Sequence, residues 1–314
     1  MTVDVKKSAE LLKQHDYILI LSHRSPDGDT VGGGYALYYA LKKLGKRVRH
    51  ECSDAIPKKF AFLADGIESD DFEPEYIVAV DVADLNLLGD GFIEKYEGRI
   101  DLSIDHHLSH RDFSTYSLVE DRAAACEIMY RIICEMGVEI DRRIADCLYI
   151  GIATDTGCFR YSNTTPDTHI CAAELIKLGA DNAKINKQIF ETKTKTYAAL
   201  ETLVLESLEM HFDGKCALVT VTQEMFRKSG SDETECDGIS ALPRQIEGVI
   251  AGVTVREVNE NSYKISVRTN EPLDACEICS VLGGGGHIRA SGCTVNGTLE
   301  EAKKKILDVI KERI

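Results

Sequence analysis

Ile100-Asp101-Leu102-Ser103-Ile104, followed at once by Asp105-His106-His107, is the stretch on which the fold turns. A short β-branched run of this kind suits a buried strand, and here it ends in a carboxylate and two imidazoles. The arrangement recurs. His23-Arg24-Ser25-Pro26-Asp27-Gly28-Asp29 follows the apolar run 17–21, Asp81 ends the run 77–80, and Asp155 follows the run 148–153. Four strand-like runs thus deliver carboxylates and imidazoles to one place, which by default is metal chemistry.

Around these runs the first half alternates short apolar strands with helical patterns, the signature of a parallel sheet covered on both faces. Residues 32–44 carry Ala36, Leu37, Ala40, Leu41 and Leu44 at helical spacing, with Gly45 as the stop. Residues 48–52, 77–80 and 100–104 read as strands; 126–136, 142–152 and 168–178 read as helices. Ligands of such open sheets bind at the carboxyl ends of the strands, where the clusters lie. From about Asp181 the texture becomes polar and helical, through residues 182–210. Strands follow at 216–222, 249–258 and 263–268, with a turn at 259–262, and residues 299–314 form an amphipathic helix. The expected architecture is α/β: a doubly wound, mainly parallel catalytic domain over residues 1–185, a helical linker over 186–210, and a smaller α/β domain over 211–314.

The chain has 314 residues, 44% hydrophobic and 28% charged, which suits an ordinary globular protein of two domains rather than disorder or a coiled coil. No apolar stretch approaches the roughly 20 residues of a membrane span, and residues 1–16 lack a signal-peptide core, so a cytoplasmic location is expected. A net charge of −15 argues against a grip on long duplex nucleic acid, which needs clustered cations. A short anionic substrate is compatible if metals and a few arginines reverse the sign locally. The eleven cysteines are scattered and odd in number, as reduced thiols are. Cys276-Glu277-Ile278-Cys279 lacks a second pair at zinc-site spacing and lies in a helix-like segment, so it reads as packing.

Carboxylates with imidazoles suit Mn²⁺ or a similar divalent ion, where thiolates would have pointed to zinc. Four aspartates and two histidines exceed what one ion takes, so a two-metal centre that acidifies water and neutralises a phosphoryl group is the economical reading, with phosphate-ester hydrolysis as its chemistry. Each piece has a plainer alternative. Pro26-Asp27-Gly28-Asp29 alone reads as a turn, Asp81 alone as a helix cap, and Asp105-His106-His107 alone as a surface turn. Their common placement favours a site. Gly32-Gly33-Gly34 would let a phosphate approach a helix N-terminus, or would merely loosen the helix entry.

These residues resemble the DHH phosphoesterase superfamily over nearly the whole chain. His23 to Asp29, Val78-Ala79-Val80-Asp81, Asp105-His106-His107 and Gly151-Ile152-Ala153-Thr154-Asp155-Thr156-Gly157 are similar to its four motifs in order. Gly283-Gly284-Gly285-Gly286-His287-Ile288-Arg289-Ala290-Ser291-Gly292 is similar to the glycine-rich motif of the DHH-associated C-terminal domain, preceded by Arg268. The resemblance implies that His23 and Asp27 hold one Mn²⁺, that Asp29, His106 and Asp155 hold the other, and that Asp81 bridges them. It implies that His107 lies beside the scissile phosphate, that Asp105 orients an imidazole, and that Arg268, Gly284, Gly285, Gly286, His287 and Arg289 bind substrate. Arg111 and Arg160 are further candidates for phosphate contact, or for exposed ion pairs.

Among two-domain members the chain resembles the nanoRNase (oligoribonuclease) and adenosine 3′,5′-bisphosphate (pAp) phosphatase type. That type implies hydrolysis of short oligoribonucleotides and dinucleotides to mononucleotides, and a possible homodimer. Alternatives are a cyclic dinucleotide phosphodiesterase, an inorganic pyrophosphatase, which the Gly-Gly-Gly-His tail disfavours, and a non-catalytic nucleotide sensor, which the full ligand set disfavours. Relatives often carry Ser where Gly33 stands, and Asn or a small residue where His110 stands. Both departures spare the ligands and bear on substrate preference.

Overall fold

Alternation along the strands decides the first sheet. In β1 (Ile18–Ser22) Ile18 and Ile20 join one apolar cluster while Leu19 and Leu21 join another, so both faces are buried. The same division runs through β3 (Tyr76–Val80), where Val78 and Val80 face one way and Ile77 and Ala79 the other. With β2 (Val48–Cys52), β4 (Leu102–Asp105) and β5 (Tyr116–Val119), these form a five-stranded sheet of order β2-β1-β3-β4-β5, parallel throughout.

The computed structural model describes residues 1–67, 70–236 and 238–314, which fall into two units, Met1–Thr192 and Lys193–Ile314. The helices of the first unit are α1 (Val5–Gln14), α2 (Gly28–Lys43), α3 (Asp90–Tyr96), α4 (Ala125–Glu135), α5 (Arg142–Asp155), α6 (Pro166–Lys177) and α7 (Asn182–Asn186). Buried residues of α1, α2, α4 and α5 share the larger cluster with Ile18, Val78, Leu102 and Ile104; Tyr96 of α3 lies in the cluster on the opposite face. The chain leaves β1 for β2 on one side and returns to β3 on the other. A crevice opens at the carboxyl ends of neighbouring strands that diverge in this way, and these ends lead into His23 and Asp81.

Two readings are corrected here. Residues 148–153 are not a strand: as the helical reading of 142–152 expected, they are the interior of α5, which Asp141 caps by accepting from the Ile144 N–H at 3.1 Å. A short apolar run alone does not separate strand from buried helix. Nor do Gly32, Gly33 and Gly34 open α2 to a ligand, because the helix begins at Gly28 and all three are buried inside it. A Cβ on Gly32 would lie 2.4 Å from the Cys147 carbonyl oxygen of α5, one on Gly33 2.9 Å from Val80 Cγ1, and one on Gly34 2.6 Å from His50 Nε2. The glycines let α2 press against α5 and the sheet at once. Strand β5, with Leu118 its one apolar residue in the core, carries too little signal to be read from sequence.

In the second unit the elements are α8 (Lys195–Glu206), β6 (Glu209–His211), β7 (Cys216–Val221), α9 (Gln223–Ser229), β8 (Ala251–Asn259), β9 (Ser262–Thr269), α10 (Ala275–Ser280), β10 (Gly285–His287), β11 (Ala290–Asn296) and α11 (Leu299–Lys311). The six strands run in the order β10-β11-β9-β8-β7-β6, with β7 and β8 parallel and every other pair antiparallel. Asn259 pairs with Ser262 across the expected turn. Helix α8 packs Leu200 and Val204 against Val219 and Val221, and α11 starts at a capping box of Thr298 and Glu301 and buries Ala302, Ile306 and Ile310. Among the described residues no helix is long and apolar enough to cross a membrane.

Helix propensity alone would make Gly32→Ala stabilising by about 1 kcal/mol. The close approach of α5 predicts the opposite sign, a loss of about 1–3 kcal/mol from overpacking. Urea unfolding of the two proteins decides between them, and a stabilised variant would remove the packing argument.

Candidate metal centre

His23 follows β1 directly, and its ring is set by a hydrogen bond from Nδ1 to the Arg24 carbonyl oxygen at 2.8 Å. Nε2 is thereby turned inward, 3.7 Å from Asp27 Oδ1 and 3.7 Å from Asp81 Oδ2. The next residues form a tight turn in which Ser25 is left-handed (φ 52°) and donates its N–H to Asp54 Oδ2 at 2.7 Å. Asp27 is then the N-cap of α2, accepting from the Asp29 and Thr30 N–H groups at 3.0 and 3.2 Å. Pro26 to Asp29 are thus not a free-standing turn, since Asp27 caps α2 and Gly28 and Asp29 open it, and the motif's two aspartates lie in the cluster.

Asp29, in the first turn of α2, is fully buried. Its carboxylate accepts from the N–H groups of Ala125 at 2.6 Å and Cys126 at 3.0 Å, so it sits on the positive end of α4. Asp81 follows β3 in the left-handed region (φ 59°), a conformation Asp tolerates better than most residues, and is 2% exposed. His106, just past β4, bonds through Nδ1 to the Arg122 carbonyl oxygen at 3.0 Å. Its Nε2 then faces Asp155 Oδ2 at 3.4 Å, Asp81 Oδ1 at 3.5 Å and Asp29 Oδ2 at 3.9 Å. Asp155 is delivered by the last residue of α5, not by a strand.

His23, Asp27 and Asp81 therefore present donor atoms within 4.8 Å of one another, as do Asp29, His106 and Asp155. A third grouping joins Asp81 and His106 with Asp105 and His107. Two observations test whether a cation fits. Asp81 Oδ1 and His106 Nε2 are buried yet have no hydrogen-bond partner among the described residues, although buried polar atoms are satisfied in the great majority of cases. Both histidines also donate their far nitrogen to a backbone carbonyl, the arrangement that leaves Nε2 free to ligate and fixes its direction. The residues fit a divalent cation with oxygen and imidazole ligands, and no thiolate enters the groupings.

Electrostatics demand the same thing. Burial alone would drive the His23 imidazole neutral, but Asp27 and Asp81 hold its proton up to about 11. Burial is likewise outweighed at His106, where Asp81, Asp29 and Asp155 lift it to about 10. Burial, reinforced by neighbouring carboxylates, pushes Asp29 up to about 7 and Asp155 to about 9. So many acidic groups in one dry crevice cannot all ionise unless positive charge enters.

Asp105 differs from Asp29, whose two oxygens accept from backbone N–H groups, in that hydrogen bonds from two imidazoles hold its two oxygens. It is fully buried; Oδ1 accepts from His107 Nδ1 at 2.8 Å and from the His106 N–H at 2.8 Å, and Oδ2 accepts from His110 Nδ1 at 2.7 Å. Burial works against its charge, yet the bonds from His107 and His110 hold it well below the usual carboxylate range. Sequence reasoning noticed His110 only as a departure from relatives. It also missed His50, whose Nε2 meets Ser22 Oγ at 2.7 Å; Ser22 donates to the Thr30 carbonyl and Thr30 Oγ1 to the Val80 carbonyl. Ser22, Thr30 and Val80 adjoin His23, Asp29 and Asp81, so this chain of bonds fixes the ligand-bearing backbone from behind. The only sequence signal for it was small hydroxyl residues beside the motif.

Of the outlying candidates, Arg111 pairs with Asp84 at 3.0 Å, and Arg160 donates to the Gly157 carbonyl. In the second unit Gly285–His287 forms strand β10, with Gly285 opposite Gly292, Gly286 opposite Ser291 and His287 opposite Ala290. A Cβ on Gly284 would lie 2.2 Å from the Gly292 carbonyl oxygen, and Gly286 has φ 148°, so two of the glycines serve the hairpin itself. Arg268 lies opposite Ala290 on β9, and the half-exposed Arg289 bonds the Leu273 carbonyl and Glu271 at 2.8 and 3.1 Å.

Residues 17–152 match the DHH family N-terminal domain, and residues 214–314 match the DHHA1 domain. The bifunctional oligoribonuclease and PAP phosphatase NrnA of Thermus thermophilus is 32% identical over 324 residues, covering 98% of this chain and 93% of that one. The protein of the same name from Bacillus subtilis is 24% identical, covering 94% of each. The crystal structure of an exopolyphosphatase-related protein from Bacteroides fragilis superposes with a TM-score of 0.90 at 26% identity, covering 98% of this chain and 95% of that one. The chain belongs to the DHH family: it is a phosphoesterase built from a DHH N-terminal domain and a DHHA1 domain.

Proposed function

We propose that this protein is a two-metal phosphodiesterase that hydrolyses short oligoribonucleotides and dinucleotides to mononucleotides, and that it also removes the 3′-phosphate of adenosine 3′,5′-bisphosphate. The observation that carries the reading is Asp81: buried, without a hydrogen bond at Oδ1 among the described residues, and within 3.7 Å of both His23 and His106, it stands between the two ligand groupings. Names of relatives similar over nearly the whole chain support the substrate class. A net charge of −15 agrees with a substrate of only a few nucleotides.

In this reading His23 and Asp27 would hold one ion, Asp29, His106 and Asp155 the other, and Asp81 would be shared. The donor set favours Mn²⁺. Bound there, two such ions supply Lewis acidity, neutralising phosphoryl charge and acidifying water. The chain's own contribution is orientation and proton transfer. Bonded through Nδ1 to Asp105, His107 keeps a partly exposed ring whose proton is held above its ordinary range, chiefly by that bond. It is suited to donate to a phosphoryl oxygen or protonate the leaving oxygen. In the second unit, Arg268, Gly284, Gly285, Gly286, His287 and Arg289 are the proposed substrate-binding residues, the arginines gripping a phosphate. Eleven free cysteines suit a reducing cytoplasm.

The deciding experiment measures mononucleotide release from 5′-phosphorylated diadenylate beside phosphate release from adenosine 3′,5′-bisphosphate, with Mn²⁺ and then with EDTA. Turnover of both that EDTA abolishes is expected; no turnover of either with metal bound would overturn the proposal. Asp81→Ala should lower kcat for both substrates by more than about 100-fold, beyond the roughly 10–100-fold cost of losing an outer partner of a ligand. Near-normal activity would remove Asp81 from the centre.

Metal uptake should also release protons. His23 and His106 titrate near 11 and 10, and Asp155 near 9, so at pH 7.5 all three are protonated until a cation displaces the proton. Affinity should therefore rise with pH, and calorimetry of Mn²⁺ binding in buffers of different ionisation enthalpy should detect net release. Binding heats independent of the buffer would contradict this charge assignment. Arg289→Ala is expected to raise KM on the order of 10-fold with little change in kcat, as loss of a charge-assisted bond does; an unchanged KM would exclude Arg289 from substrate contact.

A further inference from the structure

Asp105 is shared by two imidazoles, and only one of them belongs to the motif. Its Oδ1 receives three donors, His107 Nδ1, the His106 N–H at 2.8 Å and the His107 N–H at 3.3 Å. Its Oδ2 receives one among the described residues, His110 Nδ1 at 2.7 Å. His110 reaches back through a turn closed by its own N–H to the His107 carbonyl at 3.1 Å, and its side chain is 5% exposed. Its other nitrogen, Nε2, meets Ser103 Oγ on β4 at 3.3 Å, and Ser114 Oγ lies 2.9 Å from Ser103 Oγ. The ring also lies 5.2 Å from that of Phe113. His110 is thus held on both nitrogens, by Asp105 and Ser103, with the Phe113 ring beside it.

We infer that His110 is a positioning residue for His107, acting through Asp105 in a His107–Asp105–His110 relay of hydrogen bonds. The inference rests on the proposed role of His107 beside the scissile phosphate. The logic is one of directions. A carboxylate bonded only at Oδ1 can rotate about its Cβ–Cγ bond and carry the His107 ring with it; a second donor on Oδ2 fixes the plane. With Nδ1–H of His107 committed to that plane, its Nε2 edge keeps one orientation toward the crevice. Nδ1–H of His110 donates to Asp105 while its Nε2 accepts from Ser103, so a neutral imidazole serves and no extra charge is buried. Any side chain that supplies one N–H at this point would do, which an Asn amide does.

The test compares the wild type with His110→Ala and His110→Asn, after circular dichroism and thermal melting establish that each is folded. In ¹⁵N-histidine-labelled protein the His107 and His110 Nδ1–H protons are expected as two downfield resonances. His110→Ala should abolish one and broaden or shift the His107 signal; His110→Asn should leave the His107 signal near its wild-type position. In kinetics His110→Ala should lower kcat roughly 10–100-fold, with KM and calorimetric Mn²⁺ affinity within about twofold, and His110→Asn should recover most of kcat. An unmoved His107 resonance with unchanged kcat overturns the inference, and so does a loss of Mn²⁺ affinity that matches the loss of kcat, because His110 would then support His106 instead. If the wild type hydrolyses neither substrate, the proposed function fails, while the resonances still decide whether His110 orients His107.

Discussion

Two carboxylates shielded from water, Asp29 and Asp81, share a crevice with His106 and Asp155, and they cannot all keep their charge without a positive partner. Most of the first unit makes sense as the means of holding that unfavourable cluster together. Asp29 is anchored by two N–H groups at the start of α4, and Asp81 stands on a strand end whose backbone is turned left-handed. Without such anchors, mutual repulsion would swing the carboxylates out to water. The cluster is a site that folding has built at a cost and that a cation could complete.

The surroundings supply rigidity in two layers. Directly behind the ligands, His50, Ser22, Thr30 and the Val80 carbonyl link β2, β1, α2 and β3 by hydrogen bonds, so three ligand-bearing segments cannot shift independently. Farther back, the glycines of α2 admit α5 to near backbone contact, and α5 in turn carries Asp155. A helix pair packed this closely transmits any displacement to the centre. That is a physical reason for a run of glycines in mid-helix, where propensity alone disfavours it.

His107 and Asp105 stand apart from the ligand set in their bonding. Asp105 has both oxygens engaged by imidazole and backbone donors, which suits it to orient other groups. His107 gains a fixed direction from it. Asp27 and Asp29 are held by backbone N–H groups at helix starts, whereas Asp105 is held by two imidazoles, and that difference separates the carboxylates that would bind charge from the one that aims a proton.

Much of this was legible in the chain itself. The strands at β1, β3 and β4, the helix at α2 and the convergence of His23, Asp27, Asp29, Asp81, His106 and Asp155 follow from apolar periodicity and from acidic and imidazole residues placed at strand ends, both local properties of sequence. What the chain could not reveal depends on contacts between residues far apart. That Gly32 meets the Cys147 carbonyl, that β10 pairs with β11, and that His110 completes Asp105 are decided by which surfaces meet on folding. Periodicity shows which face a residue presents; only the packed tertiary structure determines which partner waits there, because burial forces every polar atom to find one.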